Sequence, residues 1–304
     1  MPEPKTVPHV VDNVNEAVVS GYKRHMSYDG GTYWTAEYIK IPESAKIYKN
    51  VIIGPGVELP EGIKIGRGSI IGTGSKIGPN TVIGKEVYIG ENCEIGEEVV
   101  IGNEVELSAG IKIGMRSTIG TDSKIGKNTV IGEEAHIGEN CEIGEEVVIG
   151  KDVQIDNNVT IKENVIIGPG VELSAGIEIG MRSTIGTDSR IGPGTVIGEE
   201  AYIGENCETG EKVDIGEGVE IKDHVIIEKG SRIGKGAYIW DNATIEGVVE
   251  EGGRVEPEKH YRKTDPEAYA LRKEFEKDYL TTYSKQEKDD SRMSLMPLER
   301  GETR

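Results

Sequence analysis

Residues 111–150 read IKIGMRSTIGTDSKIGKNTVIGEEAHIGENCEIGEEVVIG. In this stretch Ile113, Ile119, Ile125, Ile131, Ile137, Ile143 and Ile149 recur every six residues, and each is followed by Gly. Two positions before them stand Ile111, Ser117, Ser123, Thr129, Ala135, Cys141 and Val147. A period of six is not helical, and a Gly every sixth residue beside β-branched neighbours would weaken a helix throughout. The pattern suits short strands, in which alternate side chains point the same way. The aliphatic residue and the small one two before it then share an inward face, and Gly is expected to supply the freedom to turn each corner.

Stepping outward at the same interval, the aliphatic position recurs thirty-five times from position 41 to position 245, and Thr209 is the one residue there that is neither Ile nor Leu. Only Ala, Val, Ile, Ser, Thr or Cys stands two residues earlier, and Gly follows in 24 of the 35 cases. Three such sides close one coil of eighteen residues, and stacked coils form parallel strands about 4.8 Å apart. The register predicts about eleven coils and a rod on the order of 55 Å long.

The repeat aliphatic–Gly–x–x–small–x resembles the hexapeptide-repeat family, over about two thirds of the chain. The resemblance implies an all-β solenoid, a left-handed parallel β-helix of triangular section; the left hand comes from the resemblance alone, since connection rules would favour the right. It also implies acyl- or acetyltransferase relatives, and trimers.

A longer repeat overlies the short one. Near copies of one segment begin at Ile63, Ile111 and Ile177, offset by 48 and 66 residues. Those offsets are 8 and 11 hexads, and neither is a multiple of three. The copies should therefore face three different directions, as expected of a duplicated wall rather than a duplicated surface site. By the same count Cys93, Cys141 and Cys207 point inward from different sides, more than two coils apart, too far to be bridged. They read as small core hydrophobes.

Chemistry is scarce. In the family's lipid A acyltransferases the general base is a His two residues after an aliphatic position, where it can deprotonate a hydroxyl or amine. The matching frames here place Glu91, Glu139 and Glu205 in that slot, and no equivalent slot from Lys49 to Asp241 holds His. The family's γ-carbonic anhydrases need three converging His; His9, His25, His136, His224 and His260 include no pair at the required five-residue separation, and no metal site is expected. His224 and His136 remain weak catalytic candidates. His136 aligns with Tyr88 and Tyr202 in the other copies, which suits a surface position. The unbroken register leaves no protruding loop to shape a substrate site. No phosphate-binding Gly-rich loop opens a helix.

The organisation expected is an N-terminal helix and aromatic cap at residues 1–40, the β-helix at 41–247, a linker and helix at 248–284, and a disordered tail at 285–304. Residues 13–26 suit an amphipathic helix, with Asn13 and Glu16 as a capping box. Tyr28, Tyr33, Trp34 and Tyr38 would then lie over the first coil. Asp265-Pro266-Glu267 reads as a helix start, followed by Ala268, Leu271, Phe275 and Tyr279 as an apolar stripe. In the tail, Met293, Leu295, Met296 and Leu298 form an apolar island suited to docking another protein.

With 54 acidic against 35 basic residues the net charge is −19, which disfavours nucleic acid and anionic membrane as partners. The absence of a signal-like start or long apolar run points to a cytoplasmic protein. High Glu, Lys and Ile with only two Gln lean toward a thermophilic source. The reading favoured by these features is a non-catalytic structural or scaffolding rod in a homo-oligomer, trimeric by resemblance, without a cofactor. The alternative is an acyl- or acetyltransferase using acetyl-CoA or an acyl-carrier donor at subunit interfaces.

Overall fold

The computed structural model describes residues 22–262, and they form a parallel β-solenoid with no helix among them. Nearly every hexad contributes a two-residue strand whose second member is the buried aliphatic residue, as in Val130–Ile131 and Val148–Ile149. Each strand pairs in parallel with the one eighteen residues on, so Val130 faces Val148 and Ile131 faces Ile149. Three sheets of 14, 13 and 11 strands result. The first runs from Tyr22–Met26 to Val248–Val249, the second from Lys46–Ile47 to His260–Arg262, and the third from Lys76–Ile77 to Arg254–Val255.

The core is the inward ladder. Ile119, Ile125 and Ile131 are at most 1% exposed, and the small residues Ser117, Ser123 and Thr129 are fully buried beside them. Burying a hydroxyl costs free energy unless it is bonded. Ser117 Oγ donates to the Gly132 carbonyl at 2.8 Å and accepts from the Ala135 amide at 3.2 Å, so each serine ties its coil to the next. No buried side-chain nitrogen or oxygen among the described residues lacks a partner.

The corner glycines work differently from the expectation. Gly132 is not in the left-handed region; that conformation falls two residues later, at Glu134, with φ of 57°. What Gly132 provides is space, because a Cβ there would lie 2.6 Å from the backbone of Gly150 in the adjacent coil. Coil stacking, not chain reversal, demands the glycine.

Both ends differ from the sequence expectation. Tyr22–Met26, assigned to the end of a helix, is a strand antiparallel to Thr32–Ala36, with Tyr22 opposite Ala36. The hairpin turns at Gly30, with φ of 81°, and Asp29 anchors it by accepting from the Lys49 amide at 3.1 Å and from Arg67 Nε at 2.9 Å. Thr32–Ala36 is itself the start of the solenoid, pairing in parallel with Ile52–Ile53. Of the four aromatic residues, Tyr33 is buried whereas Tyr38 is 90% exposed. At the other end the strands continue beyond residue 247. A four-residue step from Ile245 to Val249, with Gly247 at φ of 102°, precedes a return to the six-residue interval at Val255 and Tyr261. The thirteen-stranded second sheet therefore gives about thirteen turns rather than eleven. Residues 1–21 and 263–304, on which the rest of the expected N-terminal helix, the expected C-terminal helix and the apolar island fall, lie outside the described residues.

The three copies do face three ways. Ile89 lies on the first sheet, Ile137 on the second and Ile203 on the third. Cys93, Cys141 and Cys207 are buried and free, each beside a strand of a different sheet.

Candidate functional site

Solenoid geometry fixes where chemistry can occur: inward positions are dry, outward strand positions form flat faces, and corner positions line the edges. Glu91, Glu139 and Glu205, the residues in the expected base slot of the three copies, are all exposed at corners. His136 is exposed on the second sheet between Thr118 and Gln154. His224 is an exposed corner residue with φ of 59°, and its amide donates to the Glu205 carbonyl at 2.9 Å. The structure brings neither histidine into a cluster. Among the described residues no group of three or more His, Cys, Asp or Glu is placed to hold a metal ion.

The cysteines are no better suited to nucleophilic work. Cys207 Sγ lies 3.0 Å from the Lys222 carbonyl, and burial pushes its thiol up to about 11. Burial raises Cys93 and Cys141 in the same direction. A thiol held protonated is a poor attacking group.

A groove of about 370 Å³ runs along the corner that follows the first sheet. Its floor is narrow-waisted because Ser108, Gly126 and Gly144 present little or no side chain there, while Glu106, Lys124, Glu142 and Thr160 rise from the adjoining strands. Lys162 and Glu163 close one end. Glu163 stands two residues after Ile161, in the slot where the family's base would stand, and it is half-buried whereas Glu91, Glu139 and Glu205 are exposed. A search of the slots for His passes over it; the signal available in the sequence was the loss of Gly at Lys162, which alters the corner. The groove carries three carboxylates, Glu106, Glu142 and Glu163, against the ammonium groups of Lys124 and Lys162, and a carboxylate there can accept a proton.

A second cluster lies on the third sheet. Lys222 Nζ sits 5.5 Å from the Tyr202 ring and 5.3 Å from the Tyr238 ring, and pairs with Glu220. The hydrogen bond to Glu220 raises the Lys222 pKa, which keeps the ammonium charged. Tyr238 packs against Trp240 at 4.6 Å.

Two models of the repeat match the solenoid: "Bacterial transferase hexapeptide (six repeats)" over residues 74–109 and "Hexapeptide repeat of succinyl-transferase" over residues 45–79. The chain carries the hexapeptide repeat that these models describe. A third model, "GMPPB C-terminal domain", matches residues 127–207. No curated protein matches the chain significantly. Solved structures that resemble it include the acetyltransferase domain of PglB from Neisseria gonorrhoeae, at 23% identity over 33% of this chain and 45% of that one, with a TM-score of 0.27. The UDP-N-acetylglucosamine acyltransferase of Francisella novicida is 22% identical over 55% of this chain and 63% of that one, TM-score 0.27. The Arabidopsis UDP-N-acetylglucosamine acyltransferase is 17% identical over 71% and 72%, TM-score 0.30. The hexapeptide-repeat protein thus spans less than two thirds of the Neisseria and Francisella chains, and superpositions of this quality do not bear on its activity or substrate.

Proposed function

We propose that this chain is a hexapeptide-repeat acyl- or acetyltransferase that takes an acyl thioester as donor, with the Glu163 groove as its reaction site. The observation that carries the reading is that both repeat models matching the solenoid are those of transferases. In this reading the Glu163 carboxylate accepts the proton of an acceptor hydroxyl or amine as that group attacks the thioester carbonyl. The carbon–sulfur bond breaks, and the leaving thiolate takes the proton back.

The test is thermal stability of the full chain with acetyl-CoA, with CoA and with an acylated carrier protein. A ligand at a hundred times its Kd stabilises by about 2.7 kcal/mol. Binding should be followed by thiol release in the presence of an amine or hydroxyl acceptor. Glu163→Gln should abolish release while leaving the thermal shift in place. No shift with any of the three donors would sink the reading.

A second reading, a rod that spaces or scaffolds other components without catalysis, is supported by a separate observation. The strand register is unbroken over thirty-five hexads, and no slot for the family's base holds His. Loss of all donor binding would leave this reading standing.

A further inference from the structure

Charge is not spread evenly along the chain. Residues 22–67 carry seven Lys and Arg against five Asp and Glu, a net of +2, whereas residues 68–262 carry eighteen against thirty-six, a net of −18. The basic excess gathers on one corner. On the second sheet Lys46 lies opposite Lys64, and among the described strand pairs this is the one place where like charges adjoin. Arg190 and Arg232, by contrast, each adjoin an acidic rung and pair with it, Arg190 with Glu172 at 3.5 Å and Arg232 with Asp214 at 3.0 Å. Two residues after the ladder on that same second sheet stand Lys49, Arg67 and Lys85, one per coil. They span about 10 Å at roughly 4.8 Å per coil. Arg67 is held by Asp29 at 2.9 Å and Glu86 follows Lys85, but Lys46, Lys49, Lys64 and Lys85 make no ion pair. Like charges on adjoining strands are destabilising, and an anionic partner seated over them removes that cost.

Apolar exposure is concentrated at the same end. Among the described residues the large apolar side chains more than half exposed are Met26, Tyr28 and Tyr38, at 74%, 62% and 90%. Tyr28 joins the basic corner, its ring 5.6 Å from that of Tyr48 and 5.3 Å from Lys46 Nζ. Cations beside amphipathic aromatic rings are the composition that anionic lipid headgroups take up. All five cations are exposed, on the outside of a corner that a planar layer can reach. A small ligand needs enclosing walls instead, and a single nucleic-acid strand a groove to follow. The acidic coils do not cancel the patch, because charges more than about 8 Å apart, less than two coils, are largely screened at physiological salt. They do fix the pose: a layer that attracts residues 22–67 repels the rest, so the solenoid meets it end-first rather than along a face.

We propose that the corner formed by Lys46, Lys49, Lys64, Arg67 and Lys85, with Tyr28 beside it, binds the surface of an anionic lipid membrane and tethers the solenoid by its N-terminal end. The overall charge of −19 conceals this surface. It is independent of the transferase reading, because its test reads binding rather than turnover. The full chain should sediment with vesicles of phosphatidylcholine containing about one third phosphatidylserine, not with phosphatidylcholine alone, and should be released as salt is raised. Each cation near such a surface is worth about fivefold in binding, so Lys46→Gln with Lys64→Gln should weaken it about 25-fold. The melting temperature of that variant should hold or rise, because the opposed like charges are gone. Lys127→Gln with Lys151→Gln removes the same charge from other coils, where both are ion-paired, and should leave binding unchanged. Equal binding to neutral vesicles, binding to neither, equal loss in the two double variants, or capture of a single-stranded oligonucleotide in place of vesicles would overturn the proposal.

Discussion

Thr209 interrupts the aliphatic ladder, and replacing it with Ile should stabilise the solenoid. Thr209 is 5% exposed and stacks between Ile191 and Ile227 on the second sheet. In neighbouring coils the glycine amide donates to the carbonyl of the ladder residue above, as Gly186 does to Ile203 and Gly198 to Ile215, each at 2.7 Å. At this coil the Gly192 amide instead donates to Thr209 Oγ1 at 2.9 Å. Thr209→Ile adds two buried carbons, about 1.6 kcal/mol at roughly 0.8 kcal/mol per methylene. Removing the hydroxyl is close to neutral if the Gly192 amide returns to the carbonyl. The expected gain is about 1 to 2 kcal/mol. The reverse change, Ile185→Thr at a fully buried rung, should cost about 2 kcal/mol or more. A long repeat array need not unfold in one step. The informative measurement is therefore native-state hydrogen exchange of the Gly192 amide and its neighbours, beside the denaturant midpoint. If Thr209→Ile lowers stability, the coil has closed around the smaller side chain and the added volume overpacks it. That result would refute the premise that every rung offers the same space.

Three further outcomes are expected. Gly132→Ala, whose Cβ would meet Gly150 backbone at 2.6 Å, should destabilise by several kcal/mol, whereas Glu104→Gly two residues after another corner glycine, at φ of 55°, should stabilise by about 0.5 to 1 kcal/mol; paired melts give the two signs. Burial raises the Cys207 thiol from 9.0 to about 11, so its contribution to stability is complete below pH 9 and is lost as pH rises toward 11; in the native protein thiol reagents should modify it far more slowly than a free cysteine at pH 8. The Ser27 hydroxyl and Arg67 hold the Asp29 carboxyl below its ordinary range, so the hairpin anchor is fully present above that range and is lost as pH falls beneath it; amide exchange at Gly31, whose N–H donates to Ser27 Oγ, should accelerate there before the coils respond.

The central coils were legible because one short-range rule, an aliphatic side chain every sixth residue, dictates both the strand and its burial. The rule also fixed the faces: offsets of 8 and 11 hexads predict that Ile89, Ile137 and Ile203 lie on different sheets, and they do. The rule was silent where its physical basis changes. Tyr22–Met26 carries helix-compatible residues, yet its pairing is decided by Asp29 reaching Lys49 and Arg67, contacts that no local pattern records. Past Ile245 the chain shortens one side by two residues at Gly247, so a scan at fixed interval stops while the coil goes on through Val249, Val255 and Tyr261.

The corners hold the other lesson, and it bears on the site. Gly was read as a turn residue, but the turn is made two positions later by residues such as Glu134, and Gly serves to let coils approach. Where Gly is replaced after a ladder residue the inter-coil hydrogen bonds persist, as from Ser108 to Ile125 at 3.0 Å and from Lys162 to Ile179 at 2.9 Å, and a side chain is added at the corner. Ser108 and Lys162 are such replacements, and both border the groove that contains Glu163. A search by residue type looks for His and finds the slots empty. A search for missing corner glycines leads to Lys162, with Asp156, Ser174 and Lys222 among the others, and so to the half-buried carboxylate beside Lys162. Lys162 keeps the stacking, its amide donating to the Ile179 carbonyl at 2.9 Å, and what it changes is the surface, where it sets a side chain next to half-buried Glu163; the groove, rather than the exposed histidines, therefore merits the first substitutions.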